Sequence, residues 1–188
     1  MKKAVLVLVA LFALSSATTA AVRWQAGLTG GWRTIKDQTL QSVYGGGWVF
    51  APWMSYRVSR TLWVGAEFEG GYVQKAKIGL FAEESRLAVR GMHAFLLYGR
   101  DKGRVRPFLK VGAGLFSFKM DIDSPYIQAS NFASSDVSIL VGGGLKVMLG
   151  RKLFATAEVK YAALWADPFD DLVDLGGLRF LAGIGLDL

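Results

Sequence analysis

The residue types that most often carry chemistry are scarce in this chain. It has one histidine, His93, and no cysteine among its 188 residues. A transition-metal centre usually needs several His or Cys ligands, and nucleophilic catalysis needs a histidine set beside a hydroxyl and an acid. We interpret His93 as a neutral, non-catalytic residue, and we predict no enzyme activity, no metal and no cofactor.

Charged residues form a second candidate group, because they recur at the polar positions of alternating segments. The set is Glu67, Glu69, Arg90, Lys110, Lys146, Glu158, Lys160 and Arg179, with Asp187, Arg23 and Arg57 as further members. Inside a narrow interior these charges would have to pair, since unpaired buried charges are costly. They form either a structural salt-bridge plug or a gated pathway for ions or small solutes, which the excess of bases would make selective for anions.

Aspartates form a third group, in two stretches that contain no Lys or Arg. Residues 121–136 and 166–177 hold Asp121, Asp123, Asp136, Asp167, Asp170, Asp171 and Asp174. Carboxylate oxygens are the ligands of calcium and magnesium, so six of them (Asp121, Asp123, Asp167, Asp170, Asp171 and Asp174) could form a divalent-cation surface. The spacing matches no EF-hand loop, and a solvated acidic surface is the alternative.

The elements that must position these residues alternate with a period of two, which predicts β-strands. In the first segment, for example, Val22, Trp24 and Ala26 alternate with Arg23 and Gln25. Eight such segments follow one another, at residues 22–32, 47–58, 62–72, 86–98, 106–120, 137–149, 153–165 and 178–188. Their lengths suit tilted strands that cross a membrane.

The connections between these segments alternate between long and short. Links one, three, five and seven are long (33–46, 73–85, 121–136 and 166–177), and the other three are short (59–61, 99–105 and 150–152). In an up-and-down barrel odd and even links lie at opposite ends, which predicts long extracellular loops and short periplasmic turns. The turn end is basic, with Arg60, Arg100, Lys102, Arg104, Arg106, Arg151 and Lys152 against Asp101.

Aromatic residues and glycines indicate which face of the strands meets lipid. The apolar face carries Trp24, Trp32, Trp48, Tyr72, Tyr161 and Trp165, many of them near strand ends, as in an interfacial girdle. By parity, His93 falls on this apolar face. Glycines on the opposite face leave room in a narrow lumen. A soluble periplasmic barrel, with its apolar face inward, is the alternative fold.

The N-terminal 21 residues are typical of a secretory signal peptide. Lys2 and Lys3 precede an apolar stretch over residues 4–14, and small residues follow up to Ala21. We expect cleavage after Ala20, with Ala17 and Ala21 as alternatives, so that residues 22–188 form one barrel domain. The segment could also stay as an N-terminal anchor. Removal of the two lysines lowers the net charge from +7 to +5, and export makes anionic lipid a better partner than nucleic acid.

The C-terminal strand and a central strand carry a family resemblance. The sequence Gly183-Ile184-Gly185-Leu186-Asp187-Leu188, and the Pro-aromatic, Gly-rich segment at residues 106–114, resemble the small outer-membrane barrels of the OmpA/OmpX-like and OmpW-like group. The likeness covers the whole mature chain. It departs at Leu188, where the family usually has Phe. His93 also lacks the His-x-Ser pattern of the lipid A deacylases.

The resemblance implies an all-β fold, an eight-stranded antiparallel transmembrane barrel in the bacterial outer membrane. It implies that Gly183, Leu186 and Leu188 form the signal read by the barrel-assembly machinery, and that lipid and lipopolysaccharide surround the protein. We expect a structural or surface-interaction role (envelope integrity, adhesion or an extracellular ligand at the long loops), and no nucleic-acid partner. A narrow passage for ions or small hydrophobic solutes is the alternative, and a lipid A-modifying enzyme is the third hypothesis.

Overall fold

A computed structural model describes residues 24–79, 82–100, 102–123, 131–166 and 173–188. Nine strands and one short helix cover most of these described residues. The strands are β1 (Trp24–Arg33), β2 (Gly47–Arg57), β3 (Leu62–Ile78), β4 (Glu83–Gly99), β5 (Val105–Asp123), β6 (Asn131–Met148), β7 (Leu153–Ala166), β8 (Val173–Asp174) and β9 (Gly177–Asp187). The helix is α1 (Gln38–Tyr44), between β1 and β2.

Eight of these strands close into an antiparallel barrel, as the alternation predicts. Each strand from β1 to β7 pairs with the next, β7 pairs with β9, and β9 returns to β1. The two-residue β8 only extends the end of β7. Closure leaves no unpaired sheet edge, which is what a β-structure needs inside a bilayer. The up-and-down barrel fold is therefore confirmed.

The outer wall is apolar over the height of a membrane. On β5 every outward residue from Val105 to Leu115 is apolar. These ten steps at about 3.3 Å, on a strand tilted by about 40°, span about 25 Å, the height of the apolar band of an outer-membrane barrel. Aromatic rings mark both limits of the band: Trp24 packs on Tyr56 at the turn end (5.1 Å between centroids), and Trp32 on Trp48 at the loop end (6.0 Å).

Two predicted orientations are wrong. On β4 the two faces are exchanged: His93, predicted on the lipid face, points into the lumen with Leu87, Val89, Phe95 and Leu97, and Arg90, predicted in the lumen, points outward. The inversion arises because the lumen above and below its charged centre is packed with apolar side chains. The second error is Tyr72, which a register shift between Glu69 and Tyr72 turns inward, where it is 1% exposed. Gly71 in this bulge has a φ of 90°, a conformation that favours glycine.

The four strands from β3 to β6 continue beyond the apolar band on the loop side. They have 17 to 19 residues each, whereas about 9–11 suffice to cross a bilayer. Much of the two long loops predicted at residues 73–85 and 121–136 is therefore β-sheet. The first loop contains α1, which the sequence analysis did not predict.

The described part of the chain holds no helix with the length and apolarity needed to cross a membrane. Residues 1–23 lie outside the described residues, and the signal peptide stays a prediction.

Neighbouring glycines on β1 show how tightly the sheet is curved. A Cβ at the inward Gly31 would collide with the carbonyl group of Phe180 on β9, whereas the nearest atom to a Cβ at the outward Gly30 is the Val49 oxygen, at 3.5 Å. The small residue is required on the concave face, where the backbones of adjacent strands converge.

Gly31→Ala should therefore destabilise the folded barrel by about 1–3 kcal/mol, the cost of overpacking a tight interior. Gly30→Ala is the matched control, one residue away on the same strand, and should be neutral within about 0.5 kcal/mol. Urea unfolding of the barrel in lipid vesicles, followed by tryptophan fluorescence, measures both. Equal stability of the two variants would contradict the close approach of β1 and β9.

Candidate functional site

The lumen is filled by three layers of side chains. At the loop end lies a large apolar cluster that includes Val49, Tyr72, Phe116 and Leu164. At the turn end lies a smaller one, formed by Trp63, Phe95, Leu97 and Phe108 with Trp53 against it. Between the two lies a layer of buried charged residues. We call this layer the ion network; its described members are Arg33, Glu67, Glu69, Lys110, Glu158, Lys160 and Arg179.

Glu67 is the centre of the ion network. Its Oε2 accepts a hydrogen bond from Lys110 Nζ, and its Oε1 accepts one from Lys160 Nζ, both at 2.5 Å. Lys110 also reaches Glu158 on β7 at 3.1 Å. These residues come from β3, β5 and β7, so the ion pairs cross the lumen and do not run along one strand. A carboxylate shared by two ammonium groups offsets the desolvation that burial imposes on all three.

Glu69 continues the network toward the loop end. Its carboxylate accepts a hydrogen bond from Arg179 Nε at 3.0 Å, and its Oε1 lies 3.4 Å from Arg33 Nη1. Lys160 Nζ, which binds Glu67, also lies 3.4 Å from Glu69 Oε2 and so links the two glutamates. The two guanidinium groups also donate to backbone carbonyls, Arg33 to Leu175 and Arg179 to Gly177, each at 2.7 Å. The network therefore fastens β1, β3, β7 and β9 to one another.

Lys146 lies apart from this network, below it at the turn end. Its Nζ donates a hydrogen bond to Gln25 Oε1 at 2.6 Å, and Gln25 donates in turn to Asp187 at 2.6 Å. Four aromatic rings surround the ammonium group at 5.2 to 5.6 Å; they belong to Trp53, Trp63, Phe108 and Phe154. Ring faces attract a cation, and this arrangement stabilises a charge that no carboxylate of the described residues touches directly. A cavity of about 10 Å³ beside it has room for about one water.

Loop one closes the other end of the lumen. Asp37 caps α1 by accepting a hydrogen bond from Leu40 N at 2.9 Å. The helix then sets Tyr44 into the barrel mouth, where its hydroxyl lies 2.5 Å from Ser85 Oγ. Tyr72 reaches up from the lumen and donates to Gly45 O at 2.9 Å. Ile35 joins the apolar cluster below, so this loop packs side chains into the mouth of the barrel.

An ion pair outside the bilayer fastens this loop to the last loop. Lys36 Nζ lies 3.0 Å from Asp174 Oδ2. Burial opposes ionisation of Asp174, but hydrogen bonds from Lys36 and from the backbone of Gly176 and Leu164 outweigh it and lower its pKa. The same hydrogen bond raises the pKa of Lys36. Both groups are therefore charged at neutral pH, and Asp174 keeps its charge until the pH falls below its ordinary pKa.

The structure places seven of the eight predicted lumen charges inside the barrel. They are Glu67, Glu69, Lys110, Lys146, Glu158, Lys160 and Arg179. Arg90 is the exception and is exposed on the outer wall. Arg23 lies outside the described residues. Asp187 sits at the turn end, 3.6 Å from Arg106 Nη1, and Arg57 stacks over Trp63 at 5.5 Å.

Arg33 and His93 also belong to the lumen, although neither was predicted there. Arg33 was predicted in a loop, yet it is fully buried at the end of β1. Arg33 lies an even number of residues after Gln25 and Thr29, so continuing the alternation of β1 would have placed it on the same inward face. His93 was predicted on the lipid face but is 2% exposed in the lumen, with Nδ1 3.9 Å from Glu67 Oε1.

The proposed divalent-cation surface is only partly covered. Asp167, Asp170 and Asp171 lie outside the described residues. Asp121 pairs with Lys119 at 3.0 Å, and Asp123 is exposed at the end of β5. Among the described residues, no group of three or more acidic, histidine or cysteine side chains is arranged to hold a metal ion. Leu186 on β9 and Leu188, just after the end of β9, are exposed, and Gly183 pairs with Thr29 of β1. The role of these three residues in assembly stays a prediction.

One row of the barrel brings together residue types that hydrolases use. Glu67, His93, Gly114 and Ser138 are successive cross-strand partners on β3, β4, β5 and β6. His93 and Ser138 are buried, and among the described residues neither ring nitrogen of His93 nor Ser138 Oγ has a hydrogen-bond partner. The row lies between the two apolar clusters, which separate it from both ends of the lumen.

Comparison with known proteins adds a family match. The model of the outer membrane protein beta-barrel domain matches residues 4–179. No curated protein matches the sequence.

Several solved structures share the fold. Neisserial surface protein A is 14% identical with a TM-score of 0.58, and the match covers 90% of this chain and 98% of that one. Ail, the attachment invasion locus protein of Yersinia pestis, in complex with the heparin analogue sucrose octasulfate, is 15% identical with a TM-score of 0.52 over 89% and 97% of the two chains. The N-terminal barrel domain of Pseudomonas aeruginosa OprF is 14% identical, with a TM-score of 0.50 and the same coverage.

The ion network predicts a large loss of folding stability when a glutamate is replaced by glutamine, which has the same shape and no charge. Glu67→Gln leaves Lys110 and Lys160 buried without their shared carboxylate, and should lower the free energy of unfolding by about 3–5 kcal/mol. Glu84→Gln, on the exposed face of β4, is the control and should change it by less than about 0.5 kcal/mol. Urea titration in vesicles gives both values. A Glu67→Gln variant as stable as the control would rule out a structural role for the network.

Proposed function

Since this chain belongs to the outer membrane protein β-barrel domain family and lies in the bacterial outer membrane, we propose that it is a closed barrel with a structural or surface-interaction role, not a passage for solutes. The observation that carries the proposal is the filled lumen. The ion network crosses it from β3 to β7, and a packed apolar cluster lies on either side.

The pairing of the charges supports this proposal over a conducting pore. A channel lined by charges leaves them facing water, where an ion can exchange with them. Here both oxygens of Glu67 already accept hydrogen bonds from lysines, and Lys160 bridges to Glu69. A passing ion would have to displace these partners in a low-dielectric interior, which costs several kcal/mol for each separated charge. The loop that holds α1 adds a second barrier at the mouth.

The loop end is the surface that such a barrel offers to a partner. In outer-membrane barrels the long loops face the outside of the cell. Residues 121–136 and 166–177 contain seven aspartates and no lysine or arginine. This charge favours a cationic partner, or contact through divalent ions. Ail carries a heparin analogue in its structure; a sulfated ligand of that kind would be repelled by these two acidic loops.

We also propose that the chain is not an enzyme. The Glu67, His93 and Ser138 row is the arrangement closest to a catalytic set, and the apolar clusters above and below leave a substrate no route to it. Catalysis of acyl transfer also requires the histidine to reach the hydroxyl, and His93 and Ser138 lie on strands separated by β5.

Planar-bilayer recordings test the closed lumen. The folded protein should give no resolved conductance steps in 1 M KCl, because the charges of the lumen are paired with one another. Steps that change in size or ion selectivity in Glu67→Gln, but not in Glu84→Gln, would identify the lumen as an ion pathway and overturn the proposal. Hydrophobic solutes are tested separately, by uptake of a fluorescent alkane derivative into vesicles with and without the protein.

Mass spectrometry of lipid A tests the enzyme question. Lipid A from cells that express the protein should have the same masses as lipid A from cells that lack it, since the only histidine is sealed inside the barrel. Loss or gain of an acyl chain that disappears in His93→Ala would assign catalysis to this row. A second variant, His93→Gln, keeps a polar side chain at the site and controls for misfolding.

A further inference from the structure

Among the described strands, the outer wall of the barrel carries charged side chains in one region, just above the apolar band on β3 to β6. Outward residues Met92, Leu115 and Val137 form the last apolar row across β4, β5 and β6. The next row toward the loops is Arg90, Ser117 and Ser135, all exposed. The row after that holds Ala88, Lys119 and Ala133.

Charge on this wall changes sign with height. The two rows nearest the band carry Arg90 and Lys119 and no acid. The third row carries Lys75 and Arg86 with Asp121, and the fourth carries Lys77 with Glu84 and Asp123. The net charge of the rows is therefore +2 for the first two together, +1 for the third and −1 for the fourth. An anion at the level of the first three rows is attracted, most strongly at the first two, and an anion at the level of the fourth row is repelled.

The geometry points to a site for the phosphate groups of lipid A, which we call the phosphate patch: Arg90, Lys119, Arg86, Ser117 and Ser135. In the outer leaflet, lipid A carries its phosphates directly above its acyl chains. A chain packed on Met92, Leu115 and Val137 would bring its headgroup to the height of the patch. The patch goes beyond the proposed function and does not depend on whether the lumen conducts.

The side chains have the chemistry that phosphate requires. A guanidinium group binds phosphate through two parallel N–H groups, lysine adds a point charge, and serine hydroxyls donate hydrogen bonds. Arg90 and Arg86 are both diagonal neighbours of Lys119, close enough for side chains of this length to converge. Among the described residues, neither arginine has an ion-pair partner, whereas Lys119 shares its charge with Asp121 at 3.0 Å. The two arginines are therefore available to an external anion.

Small residues leave the space that a headgroup needs. Ala88 and Ala133 flank Lys119, and with Arg90, Ser117 and Ser135 they line a groove of about 410 Å³ on the wall. The groove lies on the outer face of the strands, since Arg90, Ser117, Lys119 and Ser135 are all exposed.

Native mass spectrometry of the folded chain with bis-phosphorylated lipid A tests the patch. We expect Arg90→Gln/Lys119→Gln to weaken binding about tenfold or more, because each base near an anionic headgroup contributes substantially to affinity. Arg104→Gln/Lys152→Gln removes the same charge from the turn end and should change binding less than twofold. Arg90→Lys/Lys119→Arg keeps the charge and should retain most of the affinity.

Two further probes separate phosphate recognition from general attraction. Lipid A without phosphates should bind the unmodified protein about as weakly as bis-phosphorylated lipid A binds the Gln variant. Phosphatidylglycerol carries a single phosphodiester charge, so the Arg90→Gln/Lys119→Gln change should weaken its binding by a smaller factor than it weakens the binding of bis-phosphorylated lipid A. The patch is wrong if the two double Gln variants lose affinity for lipid A equally, if removal of the phosphates changes nothing, or if phosphatidylglycerol loses affinity by the same factor as lipid A. Retained resistance to SDS unfolding without heating shows that each variant is folded.

Discussion

The narrowness of an eight-stranded barrel is the constraint on which the rest of this structure depends. Side chains from opposite walls meet in the centre, so every inward polar group has to find its partner on another strand. Glu67 meets this requirement with one lysine from β5 and one from β7. The same narrowness that forces these charges together also removes the water that would otherwise compete for them. The ion network is thus a consequence of closure as well as a contributor to it.

The apolar clusters give the network its strength. Tyr72 and its neighbours at the loop end, and Trp63 with Phe108 at the turn end, keep the central layer in a medium of low dielectric constant. A single change in such a network leaves other charges unpaired, and the energetic cost spreads over several strands. This coupling explains how a barrel without disulfides can fix the register of β3, β7 and β9 from inside. It also explains why the proposed function is structural: the features that stabilise the fold are those that block the lumen.

The sequence was sufficient for the barrel and for most of its lumen, because strand alternation and the charges on the polar face report directly on orientation. Seven of the eight predicted charges lie inside for that reason. Arg33 was missed because it stands at the end of its segment, where alternation cannot distinguish a last strand residue from a first loop residue. Tyr72 was misplaced because a bulge at Gly71 reverses which residues of β3 point inward after that position. The sequence does not reveal the bulge, since Gly70 and Gly71 also fit an ordinary strand. The helix α1 has seven residues and no long apolar period to reveal it.

The inversion of β4 has a more general cause. The rule that apolar residues face outward holds only at the height of the bilayer, and β4 continues well above it. There, Leu87 and Val89 turn inward to fill the mouth, while Arg86 and Arg90 turn outward to water and headgroups, so the strand follows the pattern of a soluble barrel. Lower down, Phe95 and Leu97 also face inward, because they pack in the turn-end cluster. On the outer side of the same segment, Ala94 and Leu96 are apolar and face the lipid. Within the bilayer, β4 therefore has apolar residues on both faces, and above the bilayer it has its large apolar residues only on the face that points into the barrel. Its orientation follows from its register with β3 and β5, whose glutamates and lysine must meet inside the barrel.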